Sequence, residues 1–205
     1  MKTIFNKQVY RIIELFYNNK NQSLYLREIS RKLKLNESSV SRYLNRLVKE
    51  NTLITEKEGN LKKFYVNKIK ISLLFPLFDY ERFENLSLLR KNAIINYIKK
   101  SVSKPVFLVV FGSTAKKTLR KDSDLDILEI INKIEKKDKI INEVEAQTSI
   151  KIQLLQLTFN QFKKEIINKQ DKVFQSALKT GFPVFNNKYY YEVMLNEWIL
   201  LKTIT

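Results

Sequence analysis

The sequence predicts an α+β chain built in two parts. Two observations carry this reading. Residues 1–68 show apolar residues at helical spacing three times over and then a short hairpin pattern. Farther along, an apolar run, Val106–Phe111, ends in Gly112-Ser113, and a second strand-like run begins at Asp124. A length of 205 residues suits one large domain or two small ones, and 44% hydrophobic residues are enough for packed cores.

The elements follow in order. Phe5, Val9, Ile12, Ile13 and Phe16 share one face of a helix over residues 3–18. Leu26, Ile29 and Leu33 mark a second helix within 23–35. Leu35-Asn36 breaks it, and Asn36 suits the cap of a third helix with Val40, Leu44, Leu47 and Val48 on its buried face. Leu53-Ile54-Thr55, the turn Glu58-Gly59-Asn60 and Lys63–Val66 make a hairpin. Residues 69–102 read as helical. Leu73, Leu74, Leu77 and Phe78 cluster there, Pro76 is expected to limit regular helix, and Leu86, Leu89, Ala93, Ile94, Tyr97 and Ile98 form a longer stripe. This segment is a linker helix, a dimerisation surface or the cover of the next domain's sheet.

In the last part, strands are expected at Val106–Phe111, Asp124–Ile130 and Ile150–Leu157, with a helix Lys133–Gln147 between the last two. Thr158 and Gln161 suit a capping box for a helix through Ile167, and Asp171 suits the cap of a helix ending at Gly181. Pro183-Val184-Phe185 reads as a short strand and Tyr189–Leu201 as a last helix. The domain boundaries follow: 1–68, a helical linker 69–102, and 103–205.

Composition excludes several chemistries. Without cysteine there are no disulfides or thiolate metal sites. Without histidine there is no Ser-His-Asp or Cys-His catalysis and no imidazole ligand. Catalysis would need carboxylates, lysines, hydroxyls or a hard cation. No apolar run approaches the ~20 residues of a membrane span, and the opening Met1–Phe5 does not read as a signal peptide, so a cytoplasmic protein is expected. The net charge is +17, with 15 Lys/Arg against 6 Asp/Glu in residues 1–68. That excess suits nucleic acid or another polyanion, or reflects a codon bias that enriches Lys, Asn and Ile together.

The order helix, helix, turn, helix, hairpin resembles a winged helix-turn-helix domain. Leu26–Leu33 resembles its second helix, Ser38–Leu47 its recognition helix and Leu53-Ile54 its first wing strand. The resemblance implies double-stranded DNA as partner and transcription regulation as context. Ser38, Ser39, Ser41, Arg42, Asn45 and Arg46 would face the groove, and Lys57, Lys62 and Lys63 on the wing would meet phosphates. The alternative is a solvated basic face on a protein–protein module.

In the last part, Gly112 lets backbone approach a phosphate closely and Ser113 adds a hydroxyl and an N–H. Strand periodicity sends Asp124 and Asp126 to one face and Leu125 to the other. Two neighbouring carboxylates repel unless a cation lies between them, and Mg2+ takes one or two carboxylates plus phosphate oxygens. Lys116, Lys117, Arg120 and Lys121 between the two halves either neutralise a triphosphate or form a solvated face.

Gly-Ser, ten residues, then Asp-x-Asp resembles the signature of the minimal nucleotidyltransferases of the DNA polymerase β-like superfamily. The resemblance implies that Gly112 and Ser113 bind a nucleoside triphosphate such as ATP and that Asp124 and Asp126 are catalytic and hold Mg2+. The reaction implied is transfer of a nucleoside monophosphate, such as AMP, to a protein or nucleic-acid acceptor. Some small family members are antitoxins that modify a partner toxin, so a toxin is a candidate partner; a second copy of this chain is another, since winged helices also dimerise. The family adds a third carboxylate on a later strand. Here Ile150–Leu157 contains no Asp or Glu, and Gln153 stands where it is expected. The alternative is therefore a transcription regulator whose transferase-like domain only binds nucleotide or assists assembly. Tyr189-Tyr190-Tyr191 is a target for nucleotide modification or an amphipathic helix edge.

Overall fold

The structure is a computed structural model. It describes residues 6–19, 22–116, 118, 120 and 123–204, with side chains described up to 196. The chain divides into two compact units, Met1–Phe78 and Asp79–Thr205.

The first unit opens with α1 (Lys7–Asn18), whose N-terminal amides at Gln8 and Val9 are accepted by the Asn6 side chain. Phe5, expected on its apolar face, lies outside the described residues. Strand β1 (Leu24–Tyr25) leads directly into α2 (Leu26–Leu33). Helix α2 stops at Lys34, which takes the left-handed conformation at φ 53°. Arg11 of α1 donates to the Leu33 carbonyl at 2.7 Å, tying α1 to the end of α2. Helix α3 (Glu37–Lys49) is capped by Asn36, which accepts from the Ser39 N–H at 2.8 Å. Strands β2 (Leu53–Glu58) and β3 (Leu61–Val66) form the hairpin around Gly59, whose φ of +58° suits a residue without Cβ.

The sheet order is β1-β3-β2. Strand β1 is absent from the sequence reading because two residues carry no periodicity. Only pairing of Leu24 with Phe64 and of Tyr25 with Lys63 defines it. Helix α4 (Lys68–Glu84) follows.

Two expectations for α4 are corrected. The helix runs through Pro76, since proline there removes one donor and the flanking turns hold. Its buried face is Ile71, Phe75 and Phe78, at i, i+4 and i+7, while Leu73 is exposed. Phe78 lies 5.1 Å from both Tyr10 and Tyr17 between ring centroids, so the first half of α4 completes the aromatic core of the first unit.

The second unit is a mixed sheet between helices. Helix α5 (Leu88–Lys100) is capped by Ser87. Strand β4 (Phe107–Val110), the five-residue α6 (Gly112–Lys116), β5 (Leu125–Ile131), α7 (Asp138–Thr148) and β6 (Ile152–Thr158) follow. Helix α7 starts five residues later than the sequence reading, which placed its start at Lys133. The chain before it is held by Lys137, which is buried and pairs with Glu135 at 3.0 Å.

The capping box of Thr158 and Gln161 is present at α8 (Phe159–Asn168), and Asp171 caps α9 (Lys172–Thr180). Strand β7 (Phe182–Phe185) and α10 (Asn187–Ile204) close the unit. The sheet order is β6-β5-β4-β7, with β5 and β6 parallel and the other pairs antiparallel. Pro183 sits on edge strand β7, where a missing N–H is tolerated.

Alternation along β4 divides the core. Leu108 and Val110 join Leu125, Ile127, Ala93, Ile94, Tyr97 and Val144 beneath α5 and α7. Phe107 meets Phe162 and Tyr190 edge-on at 4.9 and 5.3 Å, beneath α8 and α10. Tyr190 and Tyr191 are buried, and Tyr191 donates to Asp79 at 3.0 Å. The triple tyrosine is thus largely core, with Tyr189 the exposed member, stacked on Phe159.

Candidate functional site

The site of the second unit is made by the turn after β4 and the start of β5. Phe111 extends the β4–β5 ladder by donating to the Asp126 carbonyl at 3.0 Å. The chain then turns through Gly112 at φ +64°. A Cβ at this position would overlap the Asp126 carboxylate. Glycine is therefore required twice over, by conformation and by the closeness of the acid.

Asp124 immediately precedes β5 and Asp126 is its second residue, with Leu125 fully buried between them. Both acids are half-buried. Burial, and next the charge of Asp124, push the Asp126 carboxyl above the usual carboxylate range. The Ser113 amide and Arg90 oppose that rise. A carboxylate destabilised by burial and by a like charge is relieved by a hard cation placed between the pair. The donor set, all carboxylate oxygen, thus fits Mg2+.

Parallel pairing sets Gln153 of β6 beside Asp126. The Gln153 amide donates to Asp124 Oδ2 at 2.6 Å, so it reaches the acid pair, adds no charge and holds one of its oxygens. Glu143 and Glu145, the nearest other acids in sequence, are engaged elsewhere. Glu143 pairs with Lys100 at 2.8 Å and Glu145 accepts from the Ile152 N–H at 2.7 Å. Among the described residues no group of three or more carboxylates is placed to hold a metal. Lys116 and Arg120 are exposed, while Lys117 and Lys121 lie outside the described residues.

Sequence reading missed Arg90. It is 5% exposed on α5 and bonds Thr114, Ser123 and Asp124. The signal was present. Arg90 lies four residues before Ile94 and seven before Tyr97, so it belongs on their buried face, where a charged residue needs partners. Leu89, assigned to that face, is 51% exposed.

Residues 92–178 match the family model described as Polymerase beta, Nucleotidyltransferase. The second unit carries a nucleotidyltransferase-like domain. The match begins inside α5 and spans both halves of the motif. No curated protein matches the sequence. Two solved structures are similar to this domain-bearing chain. One, a toxin-antitoxin with AMP-PNP, is 16% identical over 55% of this chain and 86% of its own, with a TM-score of 0.40. The other, a mutant of the toxin-antitoxin MntA-HpeT, is 15% identical over the same shares, also with a TM-score of 0.40. No described helix is long and apolar enough to cross a membrane.

The first unit presents a separate surface. Ser38, Arg42, Asn45 and Arg46 of α3 are exposed, and Ser39 and Ser41 are half-buried. Ser41 and Asn45 border a concavity of about 760 Å³ that also includes Arg27, Arg31, Asn60 and Lys62. Arg46 pairs with Glu50 at 2.8 Å, and Arg42 lies over the Tyr43 ring. Lys57 and Lys62 are exposed, whereas Lys63 pairs with Glu58 at 2.5 Å.

Proposed function

We propose that the second unit binds a nucleoside triphosphate with Mg2+ and transfers its nucleoside monophosphate to a protein or nucleic-acid acceptor. The observation that carries this reading is the fit of Gly112 against Asp126, with Asp124 alongside. The Gly112 turn and the two carboxylates lie together at one end of the sheet, where β4 ends and β5 begins. Asp124 and Asp126 would hold the cation, which when bound neutralises charge on the phosphates. Gly112 and Ser113 would seat the triphosphate and exclude side chains from it. An acceptor such as a toxin is the form that the family resemblance implies.

Labelled nucleoside triphosphates, Mg2+ and candidate acceptors test the proposal. Transfer should occur with the native chain and disappear in Asp124→Asn and Asp126→Asn. Tight nucleotide binding without transfer to any acceptor would overturn it. That outcome selects the second reading, a regulator that senses nucleotide. Gln153 favours this reading, because an amide beside the acid pair cannot take a proton from an acceptor hydroxyl.

We further propose that the first unit is a winged helix that binds double-stranded DNA. Support comes from the element order, from the exposed polar face of α3 and from the concavity shared between α3 and the β2–β3 turn. Arg42→Ala and Arg46→Ala should each weaken duplex binding and flatten its salt dependence by about one ion. Unchanged binding in both would remove α3 as the contact.

A further inference from the structure

We infer that Arg90 is a positioning residue for the nucleotide site, locking the Gly112-Ser113 turn to the Asp124–Asp126 strand through one guanidinium. The inference rests on the nucleotide-site reading and deepens it. Nη1 donates to the Thr114 hydroxyl at 2.9 Å and to the Asp124 carbonyl at 3.2 Å, and Nη2 donates to the Ser123 carbonyl. Thr114 is the third residue of α6, and Ser123 and Asp124 immediately precede β5. The two halves of the motif are separated by ten residues of chain, and a single planar fork bridges them.

A buried cation is costly to place, and desolvation lowers the Arg90 pKa while Asp126 and Asp124 oppose that fall. The cost brings geometry. A guanidinium offers donors in a fixed plane, so three acceptors on two segments are held in one relative position. Lysine keeps the charge and loses the fork. Asp124 is thereby held from two directions, its carbonyl by Arg90 and its carboxylate by Gln153.

Positioning and charge have opposite consequences for a cation. By charge alone, Arg90 repels a divalent ion, so removing it would tighten binding. By positioning, removing it loosens Asp124 and weakens binding. The experiment is Mn2+ titration of the full chain, followed by electron paramagnetic resonance. Each variant is measured well below its own melting temperature.

Arg90→Met and Arg90→Lys should both weaken Mn2+ affinity by about tenfold or more. In an Asp124→Asn background the same changes should have little further effect, because the group being positioned is gone. Thr114→Val removes one acceptor with little change of shape and should weaken affinity in the same direction. It decides the matter where the Arg90 variants do not fold. Arg90→Met binding Mn2+ as tightly as the native chain, or more tightly, overturns the inference. So does Thr114→Val with a lowered melting temperature and native affinity. A native chain that binds no Mn2+ overturns the nucleotide-site reading itself, and this inference with it.

Discussion

Gly112 and Gln153 illustrate what single residues do here. Gly112 at φ +64° has the Asp126 carboxylate where a Cβ would stand. Gly112→Ala should therefore cost about 1–3 kcal/mol from conformation alone, with a further loss from displacing Asp126. Chemical denaturation measures the first effect and Mn2+ titration the second. Gln153 neutralises nothing, yet donates to Asp124. Gln153→Glu replaces that donor with a third negative charge. The cation-free protein should melt at a lower temperature, and Mn2+ should bind more tightly. Equal melting and equal affinity would show that position 153 is not part of the site. The motif residues were legible in the sequence because Gly-Ser and Asp-x-Asp are local patterns. The burial of Arg90 was legible in its helical spacing to Ile94 and Tyr97, but its partners were not, because they lie 24 to 34 residues away.

Caps and strand faces decide more at the scale of elements. Asn36 caps α3 and Thr158 caps α8 through short side-chain bonds to backbone amides. Asn36→Ala should cost about 1 kcal/mol. A denaturation midpoint equal to that of the native chain would mean that packing alone sets the start of α3. These caps were readable because they depend on residues three apart. Strand β1 and the late start of α7 were not readable. The first exists only through pairing with β3, and the second is set by a buried lysine and its partner. Helix α4 continues through Pro76 because Ile71, Phe75 and Phe78 on its buried face outweigh the missing donor. Tertiary packing overrides local propensity there.

For the whole molecule, the helical stretch 69–102 does not form a separate body. The first half of α4 belongs to the first unit and α5 to the second. A fragment starting at Asp79 should fold and melt cooperatively. One starting at Ser103 lacks Arg90, Ala93, Ile94 and Tyr97 and should lose cooperative melting, which circular dichroism would detect. Equal cooperativity in both fragments would show that α5 is dispensable to the core.

The sequence by itself determined the α+β class, the positions of most helices and strands, and the Gly-Ser and Asp-x-Asp motif, because each depends on patterns only a few residues long. Only the tertiary structure decided which helices belong to which core. It also decided that Gln153 reaches the acid pair and that Arg90 bridges the two halves of the site. Those contacts join distant parts of the chain, and no local pattern records them.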